Sequence, residues 1–362
     1  MTALRFRRTR LRSTWSPRAL SVSGVLLLLA SLLTGARAQS SLPAVGAGPG
    51  TTVSGISSGA FMAVQFHVAF SGEIAGVGSV AGGPYLCAEG SVSIALGRCM
   101  DANPLFGAPD AAYLLRRAST LAAFRRIDPL ENLARSRVYV FGGGGDWTVR
   151  RPVVESLVAF YRAAGVTEAA MATRLDMPAG HGFIVDGPSD GPGEGCGATA
   201  PPFINDCDYD QAGAILRHLL PSAAAVRVAV PAGRLLRFGQ AEFLPQPRRH
   251  GMDEIGIAYL PPDCAGGGGA PCRVHVAFHG CEQGRRRLDD LFATGTGYLN
   301  WADSYRLVVL FPQASDVPFS NPKGCWDFFA YDDPGYATRD GRQMAAVKRM
   351  LDRLRSPALR QG

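Results

Sequence analysis

The chain has 362 residues, with 37 Lys and Arg against 30 Asp and Glu, six His and a hydrophobic fraction of 47%. A formal charge of +7 suggests a basic protein that seeks nucleic acid or anionic membrane, but Arg5, Arg7, Arg8, Arg10, Arg12, Arg18 and Arg37 all fall in the first 38 residues, which hold no acid. The remainder carries 30 cations against 30 anions, which leaves no electrostatic case for nucleic acid.

Those first residues read as an export leader. A basic region runs from Arg5 to Arg18, residues 25–33 (VLLLLASLL) form an apolar run, and Ala36-Arg37-Ala38 is a small-x-small cleavage pattern. This is the layout of a secretory signal peptide, and the apolar run is too short for a permanent membrane anchor. Residues 1–38 are expected to be removed, and residues 39–362 to form a single domain in the periplasm or the medium. Arg7-Arg8 fits a twin-arginine signal poorly, so the export route stays open. The 324 residues that remain can bury a large core.

After the leader, short apolar strands alternate with amphipathic helices, the signature of an α/β fold with a mainly parallel sheet. Gly55-Ile56-Ser57-Ser58-Gly59 matches G-x-S-x-G, between the β-branched 51–53 and a helix pattern at 60–70. In that motif a serine nucleophile stands on a strained strand-to-helix turn, and glycines let the backbone approach closely. Strands are expected at 76–80 and 138–141, and helices at 111–126 and 152–164. Asp146 follows the second of these strands and a glycine run, 142–145, that reads as flexible. His181 lies in a glycine-flanked loop, and a helix is expected at 212–220.

A nucleophilic serine needs a base, and the base an orienting carboxylate. Ser57, Asp146 and His181 come in the order expected of an α/β-hydrolase. His67 and His218 fall on helices, His250 in a basic turn and His275 within a strand pattern, where packing is the simpler role. Residues 223–247 offer the best boundary between halves. Further on, strands are expected at 273–278 (RVHVAF) and 307–311 (LVVLF). His279-Gly280-Cys281 ends the first of them, so the amides of Cys281 and Ser58 are the expected oxyanion donors. That strand follows the nucleophile by more than two hundred residues, whereas it ordinarily precedes it; the topology should be circularly permuted, with 223–247 bridging the natural ends. The final helix, 343–354, places Met344, Val347, Leu351 and Leu354 on one apolar stripe.

All eight cysteines lie beyond the leader, with no C-x-x-C pair. Export and an even count favour disulfides over zinc. Cys87 with Cys99, Cys196 with Cys207, and Cys264 with Cys272 would each close a short loop, leaving Cys281 with Cys325, although eight cysteines permit many pairings.

Several ordered motifs resemble the single-domain extracellular and periplasmic poly(3-hydroxybutyrate) depolymerases. They are SGISSGAFMAVQ at 54–65, AGGPYLC at 81–87, GGGGDWTV at 142–149, AGHGF at 179–183, INDCDYDQAGAIL at 204–216, HVAFHGCEQ at 275–283, GYLNWAD at 297–303 and NPKGCWDFF at 321–329. The resemblance implies a circularly permuted α/β-hydrolase fold and a serine esterase acting on a polyester, with no metal or organic cofactor. It places the nucleophile on Ser57, the acid on Asp146, the base on His181 and the oxyanion amides on Ser58 and Cys281. It also implies neighbouring disulfide pairs plus Cys281–Cys325. An aromatic crevice binds the polyester in this family, and Trp326 is the position matched to it, with Phe328, Phe329 and Tyr331 less closely matched.

Trp147 after Asp146 and the two phenylalanines after Trp326 depart from the family pattern, which leaves the monomer preference open. The sequence ends soon after its last helix, so no separate polymer-binding module is expected; a monomer is the favoured state. Rival readings are an esterase for small soluble esters, such as hydroxybutyrate oligomers, feruloyl or acetyl esters, and a non-catalytic polyester-binding protein.

Overall fold

The computed structural model describes residues 40–187, 194–222, 225–264 and 270–358; the expected leader, 1–38, lies outside them. β1 (Thr51–Ile56) is buried throughout and leads through Ser57 into α1 (Ser58–Ala69), whose twelve residues are all buried. There follow β2 (Ile74–Val80), α2 (Val92–Gly97), α3 (Ala111–Ala123), β3 (Arg137–Phe141), α4 (Arg151–Ala163) and β4 (Met171–Arg174). Three short strands, β5 (Phe183–Val185), β6 (Glu194–Gly195) and β7 (Ile204–Asp206), make a small parallel sheet of their own. The chain continues through α5 (Gln211–Leu219), β8 (Arg234–Gly239), β9 (Ile255–Leu260), β10 (Arg273–Phe278), α6 (Arg285–Leu288), α7 (Leu291–Gly295), α8 (Leu299–Tyr305), β11 (Leu307–Phe311) and α9 (Arg342–Arg355).

The main sheet has eight strands in the order β4-β3-β2-β1-β10-β11-β9-β8. Its pairings are parallel except at β9, which runs against both β11 and β8. Helices cover both faces, which explains why β10 and β11 are apolar with little polar alternation. The strand period of two is visible in the packing: Val274, Val276 and Phe278 enter one core, while Ala277 enters the other. In α9 the stripe of Met344, Val347, Leu351 and Leu354 is completely buried. The helix α1 has no polar face because it lies across the middle of the sheet and is covered in turn.

The topology is permuted in a way that can be traced. Counted from β8, successive strands take the first, second, fourth and third places, and β1 to β4 then continue outward in order. The junction that this count skips lies between α9 and β1. There the Val45 and Ala47 amides donate to Leu354 O, and Gly46 N to Ser356 O, so the end of α9 is stitched to the approach to β1. Residues 223–247 do carry the connection from α5, but they contain β8, an edge strand, and mark no boundary between halves.

Four disulfides join Cys87 to Cys99, Cys196 to Cys207, Cys264 to Cys272 and Cys281 to Cys325. Three close short loops, and the fourth ties together segments 44 residues apart. Such links stabilise chiefly by restricting the unfolded chain. Among the described residues no helix is long and apolar enough to cross a membrane.

Candidate active site

Ser57 occupies the turn between β1 and α1 at φ 55° and ψ −125°. A serine pays for this left-handed geometry in strain, so the surroundings must impose it. They do: β1 is paired on both sides, by β2 and β10, and Ser57 N donates to Val80 O at 2.9 Å. The two glycines of the motif have separate steric reasons. A Cβ on Gly55 would stand 2.2 Å from Gly59 O, and one on Gly59 would stand 2.3 Å from His279 O and 2.4 Å from Phe278 O. The first turn of α1 is thus pressed against the ends of both β1 and β10.

Asp146 and His181 arrive from loops at the carboxyl ends of β3 and β4, where open α/β sheets place functional groups. The glycine run 142–145 is close-packed rather than loose. Gly142 N, Gly144 N and Gly145 N donate to the carbonyls of Arg174, Met177 and Ala179, and a Cβ on Gly143 would meet Ala179 O at 2.2 Å. That zipper brings Asp146 against His181, with His181 Nδ1–H donating to Asp146 Oδ2 at 2.8 Å. The other carboxylate oxygen accepts from Thr148 N and Val149 N at 2.8 and 2.9 Å. His181 N donates to Thr199 Oγ1, and the ring edge faces Phe203. Both side chains are buried, at 7% exposure for His181 and 1% for Asp146. No hydrogen bond joins Ser57 Oγ to His181 Nε2 among the described residues; such bonds are commonly long in a free enzyme and tighten on substrate.

The turn after β10 faces Ser57 from the other side. A Cβ on Gly280 would stand 3.3 Å from Ser57 Cβ. Gly280 N donates to Gln283 Oε1, while Gln283 Nε2 donates to Pro202 O and Phe203 O. His279 is buried and structural, with Nδ1–H donating to Gly280 O and Nε2 accepting from Ala314 N; burial lowers its pKa to about 4 and keeps it neutral. The amides of Ser58 and Cys281 have no acceptor among the described hydrogen bonds, and Ser58 stands at the start of a helix, where N–H groups are unpaired and the dipole favours negative charge.

A crevice of about 600 Å³ opens beside Ser57 and His181. Phe61, Phe203, Phe319, Phe328 and Phe329 supply its aromatic wall, and Val92 and Leu96 of α2 one rim. The acid and base on its lining, Glu282 and Lys323, pair with each other at 3.2 Å. Two expected crevice residues are absent from it. Trp326 is 0% exposed and packs its edge on Phe278 while donating Nε1–H to His279 O; Tyr331 donates to Cys325 O below the crevice. An aromatic after a cysteine in a loop reads equally as surface or core, and here Trp326, next to the Cys281–Cys325 link, is core. Phe328 and Phe329 do line the crevice. Sequence reasoning missed Gln283, whose only signal was its place just after His279-Gly280-Cys281, and Phe61 and Phe319. Trp147 is exposed, with the Arg150 guanidinium over its ring.

The other histidines are packing elements. His275 lies on β10 beside β1, bonded to Thr52 Oγ1 and Ser54 Oγ, and His67 bonds Tyr161 OH and Ser136 Oγ. His218 bonds Ala170 O and His250 pairs with Asp332.

A strained serine between a buried strand and a helix, facing a histidine–carboxylate pair over a mainly parallel sheet, defines the α/β-hydrolase class, here in circularly permuted form. Comparison with known proteins narrows the class. The chain is 42% identical over 308 residues to a poly(3-hydroxybutyrate) depolymerase of Delftia acidovorans, covering 84% of this chain and 60% of that protein. It is 33% identical over 330 residues to a polyhydroxybutyrate depolymerase of Talaromyces funiculosus, covering 86% of this chain and 91% of that one. The crystal structure of a PHB depolymerase from Penicillium funiculosum superposes with a TM-score of 0.80 at 31% identity, over 88% of this chain and all of that one. A PHB depolymerase complexed with an R3HB trimer gives the same TM-score at 30% identity, with the same coverage. No protein-family model matches the chain. The chain belongs to the poly(3-hydroxybutyrate) depolymerase family, and spans 60% of the length of its Delftia relative.

Proposed function

We propose that the protein is an exported serine esterase that hydrolyses short-chain polyhydroxyalkanoate, poly(3-hydroxybutyrate) foremost, to oligomers and monomers. The observation that carries this reading is the His181–Asp146 pair beside a left-handed Ser57 on the floor of an apolar, aromatic crevice. Relatives named as depolymerases, one of them complexed with an R3HB trimer, support the choice of polyester.

In the proposed reaction His181 Nε2 takes the proton of Ser57 Oγ as that oxygen attacks the ester carbonyl carbon. The carbonyl oxygen becomes an oxyanion that accepts from the Ser58 and Cys281 amides. Asp146 holds the imidazole in the Nδ1–H tautomer and stabilises the imidazolium. His181 then gives its proton to the leaving alkoxide, which departs as a hydroxyl end, and an acyl group remains on Ser57. Water, deprotonated by His181, attacks that acyl-enzyme; the ester bond to Ser57 Oγ breaks, His181 returns the proton to that oxygen, and the new carboxyl end leaves.

The crevice suits an uncharged chain, because Glu282 and Lys323 on its lining are mutually paired and its walls are phenyl rings and aliphatic groups. Phe319 is fully exposed at the mouth, and Val92 and Leu96 are more than half exposed. A patch of this kind marks an interaction surface, and it would let the catalytic face settle on solid polymer. Export rests on the arginine-rich leader of residues 1–38 and on the four disulfides, which persist in oxidising compartments. Clearing of an amorphous polymer suspension, compared with turnover of short p-nitrophenyl esters, tests the substrate: clearing is expected, and turnover of the soluble esters alone would make this a small-ester hydrolase.

A further inference from the structure

Trp326 makes no contact with the crevice, yet it is bonded to both segments that carry the candidate oxyanion amides. Its backbone N–H donates to Ser58 Oγ at 3.3 Å, and its indole Nε1–H donates to His279 O at 3.0 Å. Its neighbour Cys325 is linked through sulfur to Cys281. The ring stands edge-on to Phe278 at 5.2 Å and is tilted against His279 at 5.5 Å. These segments, the start of α1 and the turn after β10, lie more than two hundred residues apart in the chain.

The other polar groups of the turn are also committed. Gly280 N is held by Gln283, Gly280 O by His279 Nδ1–H, and Glu282 N by Lys323 O. Cys281 N, like Ser58 N, has no acceptor among the described hydrogen bonds. Oxyanion stabilisation depends on donors set in advance at the distance the developing charge requires, and small misplacements are costly.

We propose that Trp326 is a positioning residue that sets the spacing between the Ser58 and Cys281 amides, and that it does not contact substrate. This rests on the serine-esterase reading given above. Trp326→Phe keeps an apolar ring but removes the N–H that holds His279 O. On a soluble short-chain p-nitrophenyl ester, kcat is expected to fall about tenfold to a hundredfold, with KM within about twofold of wild type. Affinity for a tetrahedral analogue, a trifluoromethyl ketone, should fall by the same factor as kcat.

Ser58→Ala provides the second arm, since it deletes the acceptor of Trp326 N and spares the Ser58 amide. Its kcat should fall about threefold to tenfold at constant KM, and the double variant should lose less than the product of the two single losses. An unchanged kcat in Trp326→Phe, or a loss carried by KM or by polymer adsorption, overturns the proposal. Should Trp326→Phe not fold, an unchanged kcat in Ser58→Ala overturns it. Wild-type protein that turns over no ester would instead refute the underlying esterase reading.

Discussion

Acidification should unfold this protein through histidines that take no part in the proposed reaction. His67, His275 and His279 are fully buried among neutral partners, and burial lowers their pKa values to about 3, 3 and 4 from 6.5. A depressed histidine supports the fold above pH 6.5 and withdraws that support as pH falls, because only the unfolded chain accepts the proton. Each such group removes about 1.4 kcal/mol per pH unit below 6.5, or about 4 kcal/mol per unit for the three together. Asp327 acts in the opposite sense. Burial raises its pKa from 3.8 to about 6, overcoming the backbone N–H groups of Tyr331, Asp332 and Asp333 that pull it down. Its contribution is therefore largest at low pH and is lost as pH rises through 6, which returns about 1.4 kcal/mol per unit on acidification from 6 to about 4.

The net expectation is a loss of about 3 kcal/mol per pH unit between pH 6 and 4, a large share of the roughly 5–15 kcal/mol that stabilises most domains. Urea unfolding followed by tryptophan fluorescence at half-unit steps, with the disulfides intact, measures that slope. A stability that stays flat from pH 6 to 4.5 would refute the reasoning, as would an NMR titration of any of the three histidines near pH 6.5 in the folded protein.

Two further outcomes follow from steric and surface features. Gly59→Ala places a methyl group against the backbone carbonyls of Phe278 and His279 rather than a movable side chain; a loss of roughly 3 kcal/mol or more is expected, and a wild-type melting temperature would contradict it. Phe319→Ser removes the most exposed ring at the crevice mouth; polymer clearing should fall several-fold more than turnover of a soluble ester, and equal losses would argue against an adsorbing face.

Much of the architecture was legible because burial leaves a direct mark on composition. The strands β10 and β11 are apolar runs covered on both faces, and the stripe of α9 follows the helical period, so both were expected where they occur. The edge strands β4 (MATR) and β8 (RLLRFG) carry Arg174, Arg234 and Arg237 among few fully buried residues and lack that mark. β9 (IGIAYL) bears a strand pattern yet is the one reversed strand among those described, a pairing decided by tertiary context. The strained turn at Ser57 was legible because a left-handed turn packed on two strand ends demands glycines at fixed offsets. The glycine run before Asp146 misled for a related reason: glycine permits close packing as readily as it permits flexibility, and the carbonyls of 174–179 decide which. Trp326 misled because an aromatic residue beside a cysteine does not reveal its depth. The role of Gln283 went unnoticed because it ties Gly280 N to backbone carbonyls eighty residues away.

The most direct test of the central claim is product analysis after incubating wild-type protein and Ser57→Ala with amorphous poly(3-hydroxybutyrate). Wild type should release 3-hydroxybutyrate monomer and short oligomers, and Ser57→Ala, folded by circular dichroism, should release none above background. Equal release by the two proteins would contradict the assignment of Ser57, and release by neither would contradict the polyester as substrate.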